Sequence, residues 1–378
     1  MTYSLITVIS FDYPPNDGGA ARLAAEVAQG LAVDNDVRVV TQRRGRSGSN
    51  VPALSETRLT PQRPWRELAA WWELVRHDRS AVVVAGIWYP DGLLALLAGR
   101  RVAILAHGSE LMPPRATWRR KLWAQLQRLV LSQARIVIAN SQYTANLARK
   151  SAPKSLVMPV PLAVDHERFS LGNRLAARRK FNVDAPNRLV LLSVSRLHRY
   201  KGHDTVFRAL AALPPNTREQ FVYLIAGSGP DSDQLRQEAA ALGLADIVRW
   251  LGFVSEDDLP DLYRASDLFV LCTRKNAAQQ EVEGFGLVFL EAQACGVPVV
   301  GTRTGGIPDA IHEGDGGWLI EEDDADALAR ILATGAADPS VFQQAGSAAR
   351  ARVERSCTWD HYMKEFNAVL TEAGLNRG

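Results

Sequence analysis

Short apolar runs recur along this chain, and most are apolar at every position rather than at every other one. Leu5 to Ser10, Val37 to Val40, Val82 to Ala85, Ala103 to Ala106 and Ile136 to Ala139 read as strands in the first part. Leu189 to Val194, Phe221 to Ala226, Val248 to Leu251, Leu268 to Leu271, a run from Val299, and Gly316 to Ile320 read so in the second. Helical periods fill several gaps, among them Ala20 to Ala32, Trp118 to Ser132, Leu259 to Arg264 and a last stretch through Trp359 to Leu370. Strands apolar on both faces must be covered on both faces, so the alternation predicts an α/β fold of doubly wound parallel sheets. Ligands then gather at the carboxyl ends of the strands.

A length of 378 residues suits two such domains. The run PVPLAVDHERF reads as a crossing linker and SLGNRLAARRK after it is polar and basic. The expected division is a first domain over 1–170, a second over 171–355 and a closing helical segment over 356–378. Ala81 to Gly99 is the most membrane-like run, but Pro90, Asp91 and Gly92 split it into a strand, a turn and a helix. Three cysteines, far apart in the chain, give no disulfide framework and no metal spacing, and read as small buried hydrophobes. With no leader before the first strand, a cytoplasmic setting is expected.

The chemistry concentrates at a few strand ends. The stretch EVEGFGLVFLEAQACGVPVVGTRTGG places a Gly-Phe-Gly loop (Gly284, Phe285, Gly286) before a helix from Leu287 to Ala294. Glycine lets backbone approach a ligand, and the unpaired first amides of a helix attract phosphate. Glu283 precedes the loop, and Glu291 lies about one and a half turns into the helix. After the strand at Leu189 comes SRLHRYKG, where Arg196 and Lys201 can neutralise a diphosphate. After the first strand, Gly18 and Gly19 lead into a helix, and His107-Gly108-Ser109-Glu110 follows the strand at Ala103. Glu110 is open between orienting His107 and binding a substrate. Neither Gly18-Gly19 nor Gly227-Ser228-Gly229 completes a dinucleotide fingerprint, and Asp231 and Asp233 read as a helix start rather than a metal site.

The Glu283-x7-Glu291 spacing with its embedded glycines resembles the donor-sugar motif of retaining glycosyltransferases of the GT-B fold, glycosyltransferase family four. SRLHRYKG is similar to that family's G-R-L-x-x-x-K-G signature, with Ser195 in place of the first glycine. The likeness runs along nearly the whole chain and implies two facing Rossmann-like domains with an interdomain cleft. It implies a UDP- or GDP-linked sugar as donor substrate, with no cofactor and no metal. Gly18, Gly19, Arg196, Lys201, Gly286 and Leu287 would lie along the diphosphate, Phe285 would belong to the donor site with them, and Val254 would lie near the base, Glu291 on the ribose and Glu283 on the sugar hydroxyls. His107 would approach the transferred sugar. His107, Arg196, Lys201 and Glu283 are therefore the expected catalytic set, and the closing helix is expected to cross back onto the first domain.

Charge changes the picture on the acceptor side. The net charge is +3, yet the first 170 residues carry 22 Lys and Arg against 13 Asp and Glu, and the remainder 22 against 28. Arg115, Arg119, Arg120, Lys121 and Arg128 alternate with Trp118 and Trp123, so 115–128 reads equally as a helix lying on anionic lipid at the inner membrane face or as a solvated helix with tryptophans turned inward. Trp65, Trp71 and Trp72 could wall an acceptor site or fill a core. With Trp88 and Trp118, they make a lipid-linked or surface-glycan acceptor plausible beside a soluble small molecule. No nucleic-acid module is present. A nucleotide-sugar epimerase and a non-catalytic nucleotide-sugar binder are the competing functions.

Overall fold

The computed structural model describes residues 5–15, 18–43, 54–77, 81–112, 117–183, 188–276 and 281–375. The chain forms two compact units, Met1–Leu162 with Trp359–Gly378, and Ala163–Thr358.

The first unit holds strands β1 (Leu5–Ile9), β2 (Asp36–Gln42), β3 (Leu54–Leu59), β4 (Val82–Ala85), β5 (Arg101–Ala106), β6 (Ile136–Ala139) and β7 (Val157–Pro159). They form one sheet in the order β3-β2-β1-β4-β5-β6-β7. Every pairing is parallel, with Val8 beside both Val39 and Val84. Ile9, Val83, Ile104 and Val137 carry the core on one face, continuing into the buried Trp88 and Leu131.

Two edge strands escape the apolar-run criterion. β3 (LSETRL) is apolar only at its ends, because its middle is an edge where Arg58 pairs with Glu56 at 2.6 Å. β7 is three residues ending in proline, and its last residue, Pro159, is where the expected linker begins. Proline is tolerated there because an outer strand has no partner awaiting its missing N–H.

The second unit holds β8 (Leu189–Val194), β9 (Phe221–Ala226), β10 (Val248–Gly252), β11 (Leu268–Leu271), β12 (Val299–Thr302) and β13 (Gly317–Ile320). Their order is β10-β9-β8-β11-β12-β13, again wholly parallel. Phe207, Phe221, Tyr223, Phe269 and Phe289 are buried against it.

The change of unit at Leu162/Ala163 comes a few residues before the expected 170/171. The Val164 amide already donates to Cys357 O at 2.9 Å, and the Phe169 ring meets Tyr263 at 5.9 Å. The basic stretch expected at the boundary is a helix, Arg174–Lys180, tied to the second unit by Arg178 on Asp267 at 2.5 Å and Lys180 on Asp261 at 2.7 Å. The last helix, Trp359–Glu372, packs on the helix Gly19–Leu31 so closely that a Cβ at Gly30 would strike the Met363 side chain.

Candidate active site

The second unit assembles most of its candidate residues at the carboxyl ends of β8 and β11 and the start of one helix. β8 gives way to Ser195 and then to Arg196, which is exposed and makes no side-chain hydrogen bond or ion pair among the described residues. A 3-10 turn, Arg199–Lys201, follows, and Gly202 starts the helix His203–Ala212. Gly202 has φ +75, and a Cβ there would collide with the Cys272 carbonyl. Only glycine allows this approach of the loop to β11.

Lys201 Nζ lies 2.6 Å from Glu283 Oε2, so the two residues expected to serve phosphate and sugar already meet. Burial pulls the Lys201 ammonium down, but the Glu283 carboxylate and Tyr200 more than offset it, and the group stays above its ordinary value. Glu283 is fixed through its backbone, whose carbonyl accepts the Gly306 amide at 2.9 Å. That contact explains the Thr304-Gly305-Gly306 turn, to which sequence reasoning gave no task.

Gly286, at φ 95 and ψ 64, begins the helix Leu287–Ala294 and brings its first amides beside the Glu283 stem. The Phe285 side chain is buried, so only its backbone can face a ligand. Glu291 is buried in the same helix and accepts the Tyr263 hydroxyl at 2.8 Å. Burial, then the Glu291 carboxylate, raises Tyr263 well above its ordinary value, so it stays a donor. Val254 is half-buried just past β10, beside an exposed Phe253.

Beneath the loop runs a hydrogen-bonded chain with no signal in the sequence. Ser193 Oγ donates to Val270 O, so it accepts from the Tyr223 hydroxyl at 2.7 Å. Tyr223 in turn accepts from His203 Nδ1 at 3.1 Å, and Nε2 lies 3.0 Å from Ser195 Oγ, whose one hydrogen it shares with Arg196 O at 3.1 Å. Burial, helped by the Lys201 charge, pushes His203 down to about 4, so the imidazole is neutral. Ser195, the departure from the expected glycine, is thus tied to the helix that follows the loop. Asp231 begins the helix Ser232–Ala241 as expected, and its carboxylate also accepts the Arg199 amide at 2.8 Å.

In the first unit, His107 follows β5. Its Nε2 lies 2.7 Å from Gly86 O. A carbonyl only accepts, so that nitrogen carries the hydrogen and Nδ1 is left as acceptor. Glu110 holds the turn rather than the ring, accepting the His107 amide at 2.6 Å, and Asn140 donates to His107 O at 3.1 Å. Gly18 and Gly19 are exposed at the start of their helix; residues 16–17 before them lie outside the described residues. Ser141 caps its helix as expected, accepting from the Thr144 amide at 3.1 Å.

The aromatic expectations need correction. Trp88 is no surface residue: it is 1% exposed, donates to Glu110 O at 2.9 Å and packs on Trp123 with ring centroids 4.9 Å apart. Trp65, Trp71 and Trp72 do not fill a core, since all three are exposed on the helix Trp65–Arg76. Helix Thr117–Gln133 divides its tryptophans, with Trp123 inward and Trp118 outward. Arg115 lies outside the described residues.

Comparison with known proteins agrees with this architecture. The model of Glycosyltransferase Family 4 matches residues 17–168, and that of Glycosyl transferases group 1 matches residues 176–352. Anabaena HepE in complex with UDP has a similar fold (TM-score 0.79, 20% identity, 98% of this chain and 100% of that one). So has sucrose-phosphate synthase from Thermosynechococcus elongatus (TM-score 0.80, 21% identity, 98% of each). The chain belongs to the glycosyltransferases of the GT-B fold. Among curated relatives, it is 28% identical to the GDP-mannose-dependent alpha-(1-6)-phosphatidylinositol monomannoside mannosyltransferase of Mycolicibacterium smegmatis, over 91% of this chain and 92% of that one. It is 36% identical to a D-inositol 3-phosphate glycosyltransferase of Actinosynnema mirum, over 65% of this chain and 59% of that protein.

Proposed function

We propose that the protein transfers a hexose from a UDP- or GDP-linked donor to an acceptor hydroxyl with retention of anomeric configuration and without a metal. One observation supports this reading: the Lys201–Glu283 pair sits beside the Gly286 helix start. In this reading Arg196, Lys201 and the first amides of the helix hold the diphosphate, and Gly18 and Gly19 keep the diphosphate role that the family resemblance implies. Glu291 takes the ribose, Val254 lies near the base, Glu283 binds sugar hydroxyls and His107 approaches the transferred sugar. The anomeric carbon–phosphate oxygen bond breaks, a bond forms to the acceptor oxygen, and the acceptor proton passes to the leaving diphosphate. Two cations neutralise the charge that grows on that leaving group.

The full-length mannosyltransferase relative makes GDP-mannose the first donor to test and a lipid-linked glycan the first acceptor class. The test is a thermal-shift panel of UDP, GDP, ADP and their sugar conjugates with EDTA present, since a ligand that binds only the native state raises its melting temperature. One nucleotide series should stabilise the protein and its sugar conjugate should turn over. No shift with any of them sinks the donor reading, and turnover that EDTA abolishes sinks the metal-free mechanism.

A further inference from the structure

Glu291 follows four apolar residues in the helix Leu287–Ala294. It keeps 6% of its surface, while Tyr263, which donates to its Oε2 at 2.8 Å, keeps none. A ligand can reach the carboxylate but not the phenol, so whatever Tyr263 does for a ligand it does through Glu291.

The pairing meets a definite need. The last torsion of a glutamate side chain is broad, with no staggered wells to hold the carboxylate plane. Two vicinal hydroxyls bind a carboxylate side by side only when that plane is set. A tyrosine hydroxyl has one hydrogen to give, and here it goes to Oε2. Burial, and then the Glu291 charge, hold the phenol well above its ordinary value, so that hydrogen stays in place at working pH.

The tyrosine ring is itself held. It meets Phe169 with ring centroids 5.9 Å apart at 70°, and Phe269 at 5.8 Å and 53°. Both phenylalanines are fully buried, and Phe269 packs edge-on against Phe289 of the Glu291 helix at 5.4 Å. Close packing of this kind leaves the ring a single rotamer. Phe169 comes from the segment that opens the second unit at Ala163. Arg350 fastens that segment to the same helix, its Nη1 lying 3.1 Å from His166 O, 3.0 Å from Phe169 O and 2.7 Å from Ala294 O. The helix that carries Glu291 and the ring that orients it are thus fixed to one frame.

We propose that Tyr263 is the positioning residue of the donor's ribose site: buttressed by Phe169, its hydroxyl fixes the Glu291 carboxylate so that the two ribose hydroxyls meet a preset acceptor. The proposal rests on the reading of Glu291 as the ribose contact and adds the residues that make that carboxylate selective. A preset acceptor loses less freedom on binding, so the ribose preference is where removal of Tyr263 Oη shows.

Isothermal titration of the full chain would compare GDP, or UDP if that is the nucleotide that binds, with its 2′,3′-dideoxy counterpart. Wild type should hold the ribonucleotide at least about tenfold more tightly, one decade in Kd. Tyr263→Phe removes a single oxygen. It should shrink that preference at least about fivefold and leave the dideoxy affinity within about twofold of wild type. In a Glu291→Ala background the same substitution should change nucleotide affinity no further, because residues acting through one contact are not additive. Should Tyr263→Phe not fold, Phe169→Leu loosens the ring, keeps the hydroxyl and should shrink the preference in the same direction. An unreduced preference in the variant that folds, equal losses for both nucleotides, or additive losses beside Glu291→Ala would each overturn the proposal. A wild type with no ribose preference refutes the ribose role of Glu291 and takes the proposal with it, whereas the Tyr263 variants can fail while that role stands.

Discussion

Lys201 Nζ and Glu283 Oε2 stand 2.6 Å apart, although 82 residues separate them in the chain. A cation reserved for phosphate would have been expected to stand alone. Here it is held, partly buried, by the carboxylate proposed to read the sugar, so each positions the other before any ligand arrives.

Replacing Lys201 by Ala should therefore do two things. Loss of a preorganised charge at the leaving group should cost about a hundredfold or more in kcat. It also strands the Glu283 carboxylate, at about 1–3 kcal/mol of stability. The double variant Lys201→Met, Glu283→Leu separates the two effects, because an apolar pair can replace a buried ion pair without loss. Its urea midpoint should return toward wild type while turnover stays lost. Recovery of turnover would show that the pair is structural only.

The buried chain from Ser195 through His203 and Tyr223 to Ser193 predicts a pH signature. His203 is pushed down to about 4, first by burial and then by the Lys201 charge, whereas in the unfolded chain its imidazole titrates near the ordinary 6.5. The folded state thus keeps it neutral. Its contribution is fully present above the unfolded value and is lost as pH falls toward 4, because there only the unfolded chain takes up the proton. The slope is at most about 1.4 kcal/mol per pH unit in that window. His203→Gln lacks this proton, so stability measured by urea at pH 5 and pH 7 should differ less in the variant than in wild type. Equal pH dependence would remove His203 from the account. Ser195→Gly, which restores the glycine of the resembled signature, should weaken nucleotide binding if the serine bond positions the loop, and leave it unchanged if it does not.

Much of this was legible in the sequence, and the rest was not for physical reasons. The central strands β4, β6, β8, β9 and β11 match their apolar runs end to end because burial on both faces keeps nearly every position apolar, Ser193 of β8 being the exception with its hydroxyl bonded. The edge strands β3 and β7 were hidden because an edge is half solvated and needs no continuous run. Glycine and carboxylate motifs announced Glu283, Gly286 and Glu291, but motif spacing says nothing about partners. The Lys201–Glu283 pair and the Tyr223–His203 chain depend on strands brought together by β8–β9 and β8–β11 pairing. Trp88 and Trp118 look alike as residues, and only the fold turns one inward and the other outward.

Gly202 tests the loop from its backbone. A side chain there is strained by φ +75 and must displace the Cys272 carbonyl. Gly202→Ala should lose about 1–3 kcal/mol from conformation alone, with more from the collision. Because the shift moves Lys201 next to it, donor binding should fall as well. Thermal unfolding with and without nucleotide measures both, and an unchanged melting temperature would contradict the loop geometry.

Helix Thr117–Gln133 carries the last prediction. Trp118, Leu122 and Leu129 are 69%, 64% and 57% exposed and fall on one helical face. Arg119, Lys121 and Arg128, also exposed, border it, while Arg120 lies on the opposite side of the helix. No described helix is long and apolar enough to cross a membrane, so any contact here is with the surface. Apolar residues set among cations suit an anionic bilayer, where each basic residue near the surface contributes about 1 kcal/mol. The protein should sediment with vesicles containing phosphatidylglycerol or phosphatidylinositol and be released by salt. Leu122→Glu with Leu129→Glu should abolish sedimentation, because it removes apolar contact and adds repulsion without touching the buried face. Nucleotide stabilisation should persist in that variant. Retention on neutral vesicles, or binding that neither salt nor the double substitution reduces, would place the membrane contact elsewhere on the first unit.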